Sequence, residues 1–164
     1  MGIQARIVSR KIWIMSLYEQ LAAQQAQEQS NNYDFQLFED VSLTMVQMVY
    51  MAERFFTNED KTKEQITDMV DVWFLKPMIQ QWKIYYPAVI AAVNNNSTSF
   101  GFEKMDPIDK AIFLGWWVEY LVHKTPLKII MNEMIEIAKR YGDEGAPKLI
   151  NGIGHKVMEE LTVE

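Results

Sequence analysis

Two short stretches hold the residues with most chemistry to offer. Near the start, Arg6 and Arg10 lie four apart, with Lys11 and Trp13 close behind and Tyr18 two turns further on. Helical residues four apart are neighbours, so both guanidinium groups emerge on one face. Two or three cations beside an aromatic ring can grip a phosphate backbone and stack an unpaired base, as single-stranded RNA is held. The same pattern also describes an ordinary exposed helix face. Near the end, "APKLINGI" sets Lys148, Asn151 and Gly152 inside an apolar run where a helix built for packing prefers Leu or Ala. Either these three form a contact surface, or they are plain structure. In the second case Asn151 caps or cross-links backbone, Gly152 permits close helix packing and Lys148 is solvated.

The remaining reactive types carry less. His123 and His155 are the only histidines and lack any HExxH-type spacing, so they read as structural or surface groups and no metal site is expected. Glu133 and Glu136 share one side of a helix, and Asp143 and Glu144 fall in the turn after it. Such carboxylates are usually a solvated face rather than an acid/base pair. There is no phosphate-binding Gly-rich loop, GxSxG elbow or Walker motif. No cofactor is expected and nothing names an enzyme. The eleven Met and the Trp116–Trp117 pair sit in apolar helical patterns. Adjacent helical residues point about 100° apart, so one of these Trp is expected at a helix interface or a partner surface.

Composition sets the frame for these residues. The chain has 164 residues, 49% of them apolar and 12% aromatic, with seven Gly, five Pro and no Cys. That suits one domain of long helices with a core that needs no disulfide or metal, and a cytoplasmic default. No apolar run approaches the roughly 18 residues needed to span a bilayer, and no signal peptide or membrane anchor is expected. The net charge of −6 is unevenly spread. Residues 1–18 hold three bases and no acid, residues 34–110 hold twelve acids against seven bases, and residues 120–160 hold six of each. A local basic site at the N-terminus is therefore compatible with an acidic protein.

Apolar periodicity predicts helices over about 4–29, 35–56, 61–76, 77–93, 107–122, 126–141 and 147–161. Asp34 is an N-cap candidate, and Pro77 either kinks the chain or starts the fourth helix. Pro87 falls inside that fourth pattern. "NNNSTSFG", Asn94 to Gly101, reads as the most flexible stretch, dividing an N-terminal half (about 1–93) from a C-terminal half (about 102–164). Asp106 and Pro107 start the fifth helix, with Asp109 in its first turn where the dipole favours an acid. Thr125 and Pro126 start the sixth and Gly142 ends it in a left-handed conformation. About seven helices without a strand or internal repeat make an all-α fold of two packed helical halves in one domain.

The C-terminal half resembles the NusB transcription antitermination family. "PIDKAIFLGWWVEYL" is similar to the family helix with an Ala-Ile-Leu run followed by a Glu-aliphatic pair. "TPLKIIMNEMIEIAKRYGDEGAPKLINGI" is similar to the family order of Pro, Ile-Asn-Glu-Ala, Ala-Lys-x-Phe/Tyr-Gly and Lys-Phe-Val-Asn-Gly-Val-Leu. Pro126, Asn132, Glu133, Glu136, Ala138, Lys139, Tyr141, Gly142, Lys148, Asn151 and Gly152 are all in place. At the other end Arg6, Arg10, Leu17 and Tyr18 match the family's Arg-rich segment leading into Ala-x-x-x-Leu-Tyr. Between about Asp34 and Ser99 the similarity is only generally helical.

The resemblance implies no enzymatic activity. It implies binding of boxA-type single-stranded RNA with the small-subunit ribosomal protein NusE, in an RNA polymerase antitermination complex on ribosomal RNA operons. Arg6 and Arg10 would contact phosphates, Lys11 would add charge, Trp13 or Tyr18 would contact a base, and Lys148 and Asn151 would add contacts from the last helix. The alternative is a helical protein-interaction module with weakened RNA binding, and a homodimer is left open. Departures mark a divergent member: Ile7 and Val8 stand where further arginines are common, Leu114 replaces a frequent arginine, Gly154 replaces an aliphatic residue, and Pro147 and Leu149 flank the lysine.

Overall fold

The computed structural model describes residues 3–30, 50, 62, 65, 68, 70–98 and 101–162. Among them are five α-helices, α1 (Ile3–Ser30), α2 (Val72–Asn96), α3 (Pro107–His123), α4 (Leu127–Tyr141) and α5 (Ala146–Thr162), with a 3-10 turn at Phe102–Lys104 and no strand. The all-α expectation holds. The helix expected over 35–56 and its Asp34 cap lie outside the described residues. The chain divides into two compact units, Met1–Gln80 and Gln81–Glu164, and the division falls within α2.

In the first unit α1 is buried around most of its circumference. Ile12, Trp13, Ile14 and Leu17 are wholly enclosed with the polar Ser9, and Arg10, Ser16 and Gln20 are buried. Ile7 is half-buried and Tyr18 exposed. Thr62 and Gln65 form a reciprocal capping pair: the Gln65 amide donates to Thr62 Oγ1 (3.2 Å) and the Thr62 amide to Gln65 Oε1 (2.9 Å). Gln65 and Asp68 are helical, whereas Val70 and Asp71 are not. The Asp71 carboxylate then caps α2, accepting from the Phe74 amide at 3.1 Å, while the Asp71 amide donates to Ser9 Oγ at 2.8 Å.

The helix boundary expected at Pro77 is therefore corrected to Asp71. Helix α2 continues through both Pro77 and Pro87 to Asn96. Each proline forfeits one helical hydrogen bond and costs about 3 kcal/mol. Burial of Phe74, Leu75, Met78, Ile79, Trp82, Val89 and Val93 along the same helix offsets that, at roughly 1.5–3 kcal/mol per large apolar side chain.

In the second unit α3, α4 and α5 pack pairwise against one another. Helix α3 is buried from Ile108 to Ile112 and on through Glu119 on every side except at Lys110. An all-round apolar helix belongs inside a core, so of the two places expected for a Trp of this pair, a helix interface or a partner surface, the first is the one observed. Trp116 and Trp117 are both buried, their rings 5.9 Å apart at 46°. Helices α4 and α5 are one-sided. Ile130, Met134, Ile137 and Ala138 face inward from α4, and Ile150, Ile153 and Val157 from α5.

Three punctuation marks differ from expectation. Asp106 occupies the N-cap of α3 with Pro107 following, but its side chain makes no capping hydrogen bond. Pro126, not Thr125, is the N-cap of α4. Gly142 is extended (φ −86, ψ 176), while the left-handed cap is Lys124 (φ 54, ψ 31) after α3. Glycine at 142 answers to space instead: a Cβ there would stand 2.5 Å from Ala146 Cβ and 2.8 Å from the Ala138 carbonyl oxygen. The asparagine run is also partly structural, since Asn94 Oδ1 accepts from the Phe102 amide at 2.7 Å and Asn96 donates to Glu160 at 3.0 Å.

Candidate nucleic-acid interface

Arg6 and Arg10 do share a face of α1, but that face turns to protein. The Arg6 guanidinium stands 4.4 Å from the centre of the Phe74 ring and that of Arg10 5.7 Å. Arg6 also pairs with Asp71 at 3.6 Å and keeps 42% of its side chain exposed, so it remains accessible from one side. Arg10 is only 3% exposed and Trp13 is fully enclosed. Neither can meet a phosphate or stack a base without opening the core, so both leave the expected RNA-binding set. A buried guanidinium over an aromatic face is a packing group as much as a charge.

A different stripe of α1 faces outward. Lys11 is half-buried and Tyr18 is 37% exposed, and residues seven apart lie within about 20° of one face. Lys11 and Tyr18 therefore form a cation and an aromatic on one accessible line. The i,i+4 signal drew attention to Arg6 and Arg10; the i,i+7 pair was the better guide to the surface.

On α5, Lys148, Asn151 and Gly152 are all exposed, together with His155 and Lys156. These positions recur at i, i+3, i+4, i+7 and i+8, one continuous polar stripe opposite Ile150, Ile153 and Val157. A Cβ on Gly152 would meet nothing within 4 Å among the described residues, so close packing against another described helix is not its role. That role falls to Gly154, where a Cβ would collide with the Met131 Sδ–Cε end. His155, a surface group as one of the two expected readings had it, and Lys156, which the sequence did not single out, extend the stripe with an imidazole and a second lysine.

The second unit also holds an acidic cleft of about 390 Å³, lined by Lys104, Asp106, Asp109, Asp143, Gly145, Ala146 and Leu149. Asp109 is 4% exposed, and its Oδ1 is closed to water without a hydrogen-bond partner among the described residues. Burial, then the charges of Asp106 and Asp143, push its carboxyl up from the ordinary 3.8 to about 6. The expected favourable interaction of Asp109 with the helix dipole is thus outweighed by lost hydration. The sequence signal was an acid inside an apolar run. Glu133 is half-buried and Glu136 exposed, the latter paired with Lys139 at 3.4 Å on the surface.

The model of the NusB family matches residues 8–159. Transcription antitermination protein NusB of Fusobacterium nucleatum is 29% identical over 80 residues, covering 49% of this chain and 52% of that protein. The protein of the same name from Sorangium cellulosum is 33% identical over 75 residues (45% and 54%), and that of Anaeromyxobacter dehalogenans 25% over 108 residues (66% and 72%). The chain spans about half the length of the first two relatives. Such identities suit a divergent member.

Proposed function

Because this chain belongs to the NusB family, we propose that it is a non-enzymatic transcription antitermination factor that binds boxA-type single-stranded RNA together with the ribosomal protein NusE. Its place is the cytoplasmic RNA polymerase complex elongating through ribosomal RNA operons. Gly152 carries the reading. A glycine in a helix interior costs about 0.5–1 kcal/mol relative to alanine, and here no neighbour among the described residues requires it. Bare backbone flanked by Lys148 and Asn151 lets a ligand strand approach closely while a cation and an amide hold its phosphates and base edges. Arg6, Lys11 and Tyr18 on α1 supply two cations and a stacking ring.

The test is fluorescence anisotropy with a boxA-like and an unrelated RNA, with and without NusE. Wild type is compared with Arg6→Ala/Lys11→Ala and Lys148→Ala/Asn151→Ala. Arg10 is left intact, because truncating a buried guanidinium tests folding rather than binding. Wild type should prefer the boxA-like RNA, and affinity should fall with salt at a log–log slope of order −0.7 per phosphate contacted. Each double variant should bind more weakly with a shallower slope. Equal, negligible binding in every case would overturn the RNA reading.

The burial of Arg10 and Trp13 favours a second reading, a helical protein-interaction module with weakened RNA binding. In that case NusE binding persists in both variants while RNA is not retained.

A further inference from the structure

We propose that the cleft between the start of α3 and the α4–α5 turn is a docking notch for an arginine side chain of a partner protein. Asp106 and Asp109 come from the first turn of α3, Asp143 from the turn before α5, so three carboxylates face one space against a single ammonium, Lys104. Asp143 Oδ1 already accepts from the Gly145 amide at 3.0 Å, which holds the turn in place. Asp106 makes no capping bond. Among the described residues no base pairs with Asp106, Asp109 or Asp143, since the ion pairs there are Arg6–Asp71 and Lys139–Glu136. The buried, unbonded Oδ1 of Asp109 is the independent sign of a missing donor. A buried acceptor left unsatisfied carries the full penalty of its desolvation, and a charged donor reaching it removes that penalty.

The shape selects the occupant. A volume of about 390 Å³ is more than ten times the roughly 30 Å³ share of a water molecule, so the space suits a side chain rather than a bare ion. Among the described residues no three acidic or His groups are placed to share one metal ion. A nucleic acid would bring phosphates against three carboxylates, which is repulsive. Arginine fits on each count. Its planar fork donates to two carboxylates at once, it is less strongly hydrated than an ammonium, and its aliphatic stem can lie along Ala146 and Leu149. Arginine is also enriched among the anchors of protein interfaces. The elevated carboxyl of Asp109 adds a consequence: bound arginine favours the ionised form, so affinity should rise as pH passes from 5 to 7. Asp106, Asp143 and Lys104 are the other charged groups facing it. The inference is independent of RNA binding and stands or falls separately from it.

The experiment is an NMR titration of the full chain with N-acetyl-arginine amide, followed at the backbone amides of Asp109, Gly145 and Ala146. N-acetyl-citrulline amide serves as the neutral isostere, and magnesium chloride at matched ionic strength as the simple cation. Arginine should give saturable shifts at these three amides and the other two probes should not. Asp109→Asn should raise the dissociation constant about tenfold or more, and Asp143→Asn, at the exposed lip, by a smaller factor. Equal shifts from citrulline, equally tight binding of magnesium, absence of saturable shifts with arginine, or wild-type affinity in both variants would each overturn the proposal.

Discussion

Gly152→Ala separates the demands of the fold from those of function. Gly152 is the seventh of seventeen residues in α5, away from either fraying end. Alanine is favoured over glycine at such a position by about 0.8–1.0 kcal/mol, because glycine loses more backbone freedom on folding. Steric cost would normally subtract from this, but the added methyl meets no atom of the described residues within 4 Å. The full gain should therefore appear, raising the melting temperature by about 2–4 °C in a chain of this size. Scanning calorimetry or thermal circular dichroism reads that shift directly. If bare backbone at 152 admits a ligand strand, the same methyl should weaken RNA binding by anisotropy under identical salt. Stability up and affinity down is the expected pair. A lower melting temperature would refute the structural half, and a higher one with unchanged affinity would remove Gly152 from the binding surface.

Gly142→Ala should do the opposite, destabilising by about 1–3 kcal/mol in urea unfolding, because the Ala138 carbonyl and Ala146 leave a Cβ no room even though the backbone is extended. Lys124→Gly relieves a left-handed lysine and should raise stability by about 1 kcal/mol in the same assay. Asp109→Asn should act through pH. The raised carboxyl binds its proton more tightly in the folded chain, so its stabilising contribution is full below about pH 3.8 and is lost as pH rises through about 6. Asparagine mimics the protonated form, so the variant should match wild type near pH 3.5. Its advantage should then grow to about 3 kcal/mol at most by pH 7, read as the difference in melting temperature. A constant difference across pH would count against a buried, elevated Asp109.

Local chemistry was legible wherever a few neighbouring residues decide the outcome. The spans of α1, α3, α4 and α5 follow from periodicity and backbone constraint within one element, to within a residue or two at each end, and of the two readings left open for Lys148 and Asn151 the structure shows both side chains exposed. The order of Arg6, Arg10, Lys11, Trp13 and Tyr18 determined which side chains share a face. It could not determine which face of α1 meets Phe74, because burial is a sum over segments distant in sequence. The same holds for Pro77 and Pro87, whose local penalty is overcome only by apolar partners, and for Gly154, whose neighbour Met131 stands on another helix, whereas Gly142 is crowded by Ala138 and Ala146 only four residues to either side. Asp109 shows the limit most sharply. Helix position alone makes it an ordinary first-turn acid, and only packing takes its water away and sets Asp106 and Asp143 beside it. Types and spacing were thus written into the chain, whereas exposure, and with it which charges are free to bind, was decided by tertiary structure.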